Sequence, residues 1–255
     1  MHLPQAIFLF LAGALGGAMN AVAGGGSFVV FPALLFTGVA PIPANASNNV
    51  ALWFGIVASG GAYRRHLNLS RRILIPMLLA SVVGGLGGAI LLIHTPTHTF
   101  LRLIPWLLLG ATLLFAFGRQ FTGRLPGEIS HDASRPALAG VSFLELIVAI
   151  YGGYFGGGIG IMNLALLSAL GMTDIHAMNA LKVVFVGVIN GVAAVTFVVM
   201  GVVAWAQTLV VLLGALCGGF AAAHYAQRLP QSIVRDVVIC IGAGMTVYFF
   251  VRAYL

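Results

Sequence analysis

The sequence predicts an all-α polytopic membrane protein of two homologous repeats, each of four to five helical elements with one helix broken at glycines. Three observations lead there. Sixty per cent of the 255 residues are apolar and 7% are charged, where soluble domains carry about 25% charged residues; mean hydropathy is +1.07. The apolar block Pro4 to Val39 is 36 residues long, roughly 54 Å as one straight helix, whereas the hydrocarbon core of a bilayer is about 30 Å thick. Finally, Gly24-Gly25-Gly26 inside that block recurs as Gly156-Gly157-Gly158, where the octets Val22–Val29 and Tyr154–Ile161 match at an offset of 132.

The first block must therefore bend. Each glycine lowers helix stability by about 1 kcal/mol relative to alanine, which places the break at the triplet and leaves Ser27 to Phe36 as a short second helix. A helix that restarts inside a membrane presents N–H groups without partners and the positive end of its dipole. Such an end suits an anion, and interrupted helices build the substrate sites of secondary transporters. Close packing through small residues is the competing reading of any single glycine patch. Recurrence at the same place in both halves favours the site. Downstream, Gly38 pairs with Gly171, Ala44 with Ala177, Asn49 with Lys182 and Arg102 with Arg235, at an offset of 133.

Ala40 to Pro43 reads as a turn and Ala44 to Tyr63 as the next span. Its opening stretch, Asn45-Ala46-Ser47-Asn48-Asn49, is polar for a membrane helix. Asn45 or Ser47 could cap the helix. One cap does not need three asparagines and a serine, so part of this turn is expected to face a wet cavity. Arg64, Arg65, Arg71 and Arg72 flank a short loop. Ile73 to Ile93 forms a third span, with Gly84-Gly85 and Gly87-Gly88 read as packing glycines. After the turn His94 to His98, a fourth span runs from Phe100 to Phe117.

The polar segment 119–136 is read as a linker between a first repeat, 1–118, and a second, 137–255. Ala137 to Phe155 leads into the second triplet and a short piece to Leu170. A turn from Gly171 to His176 precedes spans at Ala177–Val203, Ala204–Gln227 and Ile233–Leu255. With eight crossings, eight arginines face inside against three outside. With ten elements and inverted halves the count becomes nine against two, which the positive-inside rule prefers.

Several function classes drop out. The net charge of +7 lies in short loops, where it marks the cytoplasmic leaflet, so it is no nucleic-acid footprint. Cys217 and Cys240 lie in apolar segments and read as packing residues, with no CxxC motif and no metal-ligand spacing. No nucleophile–base set appears, which argues against an enzyme, and no cofactor is called for. The first block has no basic n-region or cleavage site and is read as a retained span.

Two charges stand out within the spans. Lys182, the only lysine, lies inside an apolar segment, where a central lysine costs about 2.5–3.5 kcal/mol. It either snorkels to the headgroups or faces an anion, and its pairing with Asn49 favours the anion. Glu145 could carry a coupling proton, or pair structurally with Lys182 or another polar group. Asn163 and Asn190 are open between interhelical bonding and the substrate path.

Four motifs, in order, closely resemble the sulfite exporter TauE/SafE family: Asn-Ala-Val-Ala-Gly-Gly-Gly-Ser-Phe at 20–28, Pro-Ala-Asn-Ala-Ser-Asn-Asn-Val-Ala-Leu at 43–52, Ala-Ile-Tyr-Gly-Gly-Tyr-Phe-Gly-Gly-Gly-Ile-Gly at 149–160 and Met-Asn-Ala-Leu-Lys at 178–182. The resemblance implies a multi-pass carrier of the cell inner membrane, embedded in lipid, that exports sulfite or an organosulfonate with protons as coupling ion. A homodimer is compatible with it. It also implies that Gly24, Gly25, Gly26, Ser27, Asn45, Ser47, Asn48, Asn49, Gly156, Gly157, Gly158, Asn179 and Lys182 line the anion path. Leu181 and Lys182 stand where the first half has Asn48 and Asn49, so the expected site is asymmetric, with amide donors on one side and a cation on the other. The rivals are a carrier for a small carboxylate and an anion channel with the same site.

Overall fold

A computed structural model describes residues 1–22, 25–63, 71–121, 135–170, 172, 174–225 and 231–254. Among them the chain forms ten helices and no strand: α1 (Leu3–Val22), α2 (Ser27–Phe36), α3 (Pro41–Tyr63), α4 (Arg71–His94), α5 (Thr97–Phe121), α6 (Arg135–Tyr154), α7 (Ile159–Ala169), α8 (Ile175–Val199), α9 (Trp205–Tyr225) and α10 (Gln231–Tyr254). Five of them, α1, α4, α5, α8 and α9, contain segments long and apolar enough to cross a membrane.

Both glycine-rich segments interrupt a helix. α1 stops at Val22 and α2 restarts at Ser27; Gly25 between them has φ +100°. α6 stops at Tyr154 and α7 restarts at Ile159, with Gly156 and Gly158 both at φ +77°. A residue with a Cβ pays about 1–2 kcal/mol in that region, so glycine is what permits the two breaks. Gly24 lies outside the described residues.

Some boundaries differ from expectation. α3 begins at Pro41, not Ala44, because proline suits the first helical position, where its missing N–H is not needed. Asn45 and Ser47 therefore lie beyond the first turn and cap nothing. α8 ends at Val199 rather than Val203: Gly201, at φ +68°, turns the chain so that the Val202 N–H reaches the Phe197 carbonyl at 3.2 Å. α5 runs to Phe121 and α6 starts at Arg135, so both ends of the segment 119–136 are helical. Its interior, the Arg64–Arg65 loop, Gly171 and Arg228 fall outside the described residues.

The packing crosses the two halves of the chain. α1 lies along α9 and α4 along α6, while α3 and α8 pack on each other and α5 packs on α10. Advancing each helix by five turns the α1–α9 pairing into α6–α4 and the α3–α9 pairing into α8–α4, both of which occur. Lipid is as apolar as leucine, so such seams are held by close backbone contact rather than by the hydrophobic effect. Glycines allow it. A Cβ at Gly13 would lie 3.0 Å from Val211 Cα, and one at Gly17 2.6 Å from Ala215 Cα. In the other seam, a Cβ at Gly84 would lie 2.8 Å from the Leu146 carbonyl oxygen, and one at Gly88 2.7 Å from the Tyr154 nitrogen. Gly87 has nothing within 4 Å, so three of the four expected packing glycines in α4 serve that purpose, Gly85 doing so against Ile189.

The cysteines are not packing residues. Cys217 and Cys240 are free and exposed. On α9 the seam takes Gly214 and Gly218, against the Phe10 and Ala14 carbonyls of α1, which turns Cys217 outward.

The core between the breaks is aromatic. Phe31 of α2 meets Phe155, the first residue after α6, edge-on at 5.8 Å, and also Phe100 of α5 and Phe249 of α10 at 6.4 Å. This cluster ties α2 to the second break and so holds the two interruptions in one region of the molecule.

Candidate functional site

Among the described residues, the backbone at the second break has free donors and occupied acceptors. The Tyr154 carbonyl accepts from Asn45 Nδ2 at 3.0 Å. The Gly157 carbonyl accepts from the Tyr151 hydroxyl at 2.7 Å. Gly156 O accepts from Ile159, and Gly158 O from Ile161 and Met162. The N–H groups of Gly157, Gly158 and Gly160 have no acceptor among the described residues. Bare amide donors at the positive end of α7 fit a negative group. The first break is built alike: Gly25 O and Gly26 O accept from Phe28, Val29 and Val30, while the N–H groups of Gly26 and Ser27 stay free among the described residues.

One turn of α3 reaches both breaks. Residues at i, i+3 and i+4 share a helix face, and Asn45, Asn48 and Asn49 are such a set, all buried. Asn48 Nδ2 donates to Ser27 Oγ at the start of α2, at 3.1 Å. Asn45 reaches the Tyr154 carbonyl at the end of α6. Asn49 Nδ2 donates to Asn190 Oδ1 of α8 at 3.2 Å. That pair borders Gly156, where a Cβ would lie 3.8 Å from Asn190 Oδ1 and 3.9 Å from Asn49 Nδ2. The structure thus gathers Ser27, Asn45, Asn48, Asn49 and Gly156, with Gly25 and Gly26 at one edge and Gly157 and Gly158 at the other.

Ser47 takes another direction. Its hydroxyl accepts the Ala204 N–H at 2.9 Å, meeting a donor at the start of α9 and fastening α3 to that helix. Lys182 is half-buried and donates to Asn179 Oδ1 at 2.9 Å. It lies eight residues before Asn190 on α8, about 12 Å along the axis. It therefore stands apart from the Asn49–Asn190 pair and faces α7 instead: a Cβ at Gly160 would be 3.5 Å from its Cδ. Asn163, one turn further along that face of α7, is fully buried with neither amide atom partnered among the described residues.

Glu145 does not meet Lys182. It is fully buried in the α4–α6 seam and accepts from the Ser81 hydroxyl at 2.7 Å. The polar partner of Glu145 is thus Ser81, and no ion pair with Lys182 forms among the described residues.

Sequence reasoning passed over Tyr151, which occupies the acceptor next to the free donors, and Trp53, whose indole donates to the Gly187 carbonyl at 2.9 Å. Gly191 leaves room for that ring: a Cβ there would lie 2.9 Å from the indole nitrogen. Both aromatic residues stand inside or beside the quoted motifs, and an aromatic donor near a glycine was the available signal.

The family model described as Sulfite exporter TauE/SafE matches residues 9–249. A Sinorhizobium sp. protein called a probable membrane transporter protein, ORF9, is 27% identical over 244 residues, 94% of this chain and 90% of that one. A probable membrane transporter protein of Haemophilus influenzae is 27% identical over 93% of this chain and 91% of its own length. The Escherichia coli K12 probable membrane transporter protein YfcA is 24% identical over 93% and 87%. No solved structure matches the chain.

Proposed function

The chain belongs to the sulfite exporter TauE/SafE family, a multi-pass membrane transporter, and from that premise we propose that it is a secondary carrier exporting a small sulfur anion, sulfite or an organosulfonate, across the inner membrane. The observation that carries this reading is the α3 turn whose asparagines reach both interrupted helices, beside amide N–H groups left free. An oxyanion accepts several hydrogen bonds at once, so converging donors suit it. Lys182 and Asn179, with Asn163 on the facing helix, form a second polar station on the same path.

In this reading the two repeats are inverted, and access alternates by rocking of two packed groups, one from each repeat, that have exchanged α4 and α9. The proton gradient drives export, with Glu145 as the candidate carrier of the proton. The chain acts without a cofactor and makes or breaks no covalent bond in the substrate.

The test uses purified protein in proteoliposomes, measuring sulfite and sulfoacetate flux with and without a pH gradient. Saturable flux that the gradient accelerates is the expected result. Flux of lactate but not of either sulfur anion would move the reading to a carboxylate carrier; large unitary currents would move it to a channel.

A further inference from the structure

The same turn of α3 that reaches the two breaks also carries acceptors with nothing to accept. Asn45, Asn48 and Asn49 are 2%, 2% and 8% exposed. Each amide nitrogen is engaged, to Tyr154 O, Ser27 Oγ and Asn190 Oδ1. Each Oδ1 is buried without a donor among the described residues. The Tyr154 carbonyl can only accept, which fixes Asn45 with its nitrogen towards α6 and its oxygen away. An anion does not satisfy a carbonyl oxygen. A set of buried neutral oxygens on one helix face is what hard monovalent cations take in exchange for their hydration shell.

We propose that the oxygens of Asn45, Asn48 and Asn49 form a subsite for a small monovalent cation, Na⁺ or a proton carried as hydronium, bound beside the anion. This rests on the proposed carrier function and adds a cation station on α3, apart from the Glu145 carboxyl. The arrangement is electrostatically sound: a lone anion at the α7 terminus is expensive in a low-dielectric interior, and a cation on the adjacent α3 face offsets its charge. It also separates roles, with donors from the breaks holding the negative partner and acceptors from α3 the positive one.

The test is thermal unfolding of the detergent-purified protein in NaCl against choline chloride at fixed pH, without any sulfur anion, followed by sulfite flux in proteoliposomes under a Na⁺ or a pH gradient. Three proteins are compared: wild type, Asn48→Leu, which keeps the size but removes the oxygen together with the nitrogen that donates to Ser27, and Asn48→Asp, which keeps an oxygen and adds charge. Na⁺-dependent stabilisation of wild type that falls at least about tenfold in apparent affinity in Asn48→Leu, and is retained in Asn48→Asp, supports the Na⁺ form. A Na⁺-independent protein whose pH-gradient drive is lost in Asn48→Leu and regained in Asn48→Asp supports hydronium. Cation dependence unchanged in Asn48→Leu overturns the subsite, as does a wild type indifferent to both gradients. Sulfite flux absent in every arm while Na⁺ still stabilises would sink the proposed substrate and leave the subsite standing.

Discussion

Lys182 is a cation in the interior of a helical bundle whose partner among the described residues is the neutral oxygen of Asn179. A neutral amide leaves most of its charge uncompensated, and an anionic guest would compensate it. Lys182→Ala is therefore expected to lower sulfite flux by at least about tenfold while expression and thermal stability stay close to wild type, since one charged contact is worth about 1.5–3 kcal/mol. Flux measured alongside the melting temperature separates the two effects. The Asn49–Asn190 bond is expected to behave oppositely. Each single alanine variant strands a buried amide and should cost about 1–3 kcal/mol, whereas the double variant should cost less than the two added together, as a thermal-unfolding cycle would show. At this scale the sequence was partly legible. It identified the polar turn and the lysine by their cost in hydrocarbon, and it placed them in one site because they align at an offset of 133. Alignment is not proximity: in an exchanged packing, equivalent positions fall at opposite ends of the α3–α8 crossing. Ser47 was likewise grouped with its neighbours, though a residue one or two places along a helix looks another way.

Helix breaks were the most legible elements, because glycine acts through local backbone energy that sequence records directly. Helix ends were less so. α3 starts earlier and α8 stops earlier than hydropathy implies, since Pro41 and Gly201 set those ends while the flanking residues stay apolar. The four glycines of α4 give a test inside one element. Gly88→Val drives a side chain into the α6 backbone and should destabilise by about 1–3 kcal/mol or more. Gly87→Ala meets nothing within 4 Å and should be neutral or stabilising, by up to about 1 kcal/mol. Equal melting temperatures for the two variants would show that the α4–α6 seam is not the close contact described here.

On the scale of the whole molecule, composition established a polytopic helical protein before any residue was considered, and the doubled motif pointed to two similar halves. What no local signal records is that α4 leaves its own half to lie on α6, and α9 leaves its half to lie on α1. Long-range pairing of nearly featureless apolar helices depends on which small residues meet, and many registers look alike in sequence. The consequence is mechanical. The packed groups are α1, α2, α3 and α9 on one side and α6, α7, α8 and α4 on the other, meeting at α3–α8, while α5 packs on α10. With Cys217 and Cys240 replaced, a disulfide across the α1–α9 seam is expected to leave sulfite flux intact, while one across α3–α8 should arrest it. The opposite pattern would mean that the halves move as continuous stretches of chain.

The placement of the anion is open to one direct observation. Selenite has the shape and charge of sulfite and carries an anomalous scatterer, so a crystal of the protein grown with it would locate the guest. Selenium within hydrogen-bonding reach of the free amides at Gly157 and Gly158 or at Gly26 and Ser27, against the asparagine face of α3, is the expected result. Selenium found only beside Lys182, or on the outer surface with both helix breaks untouched, would contradict it.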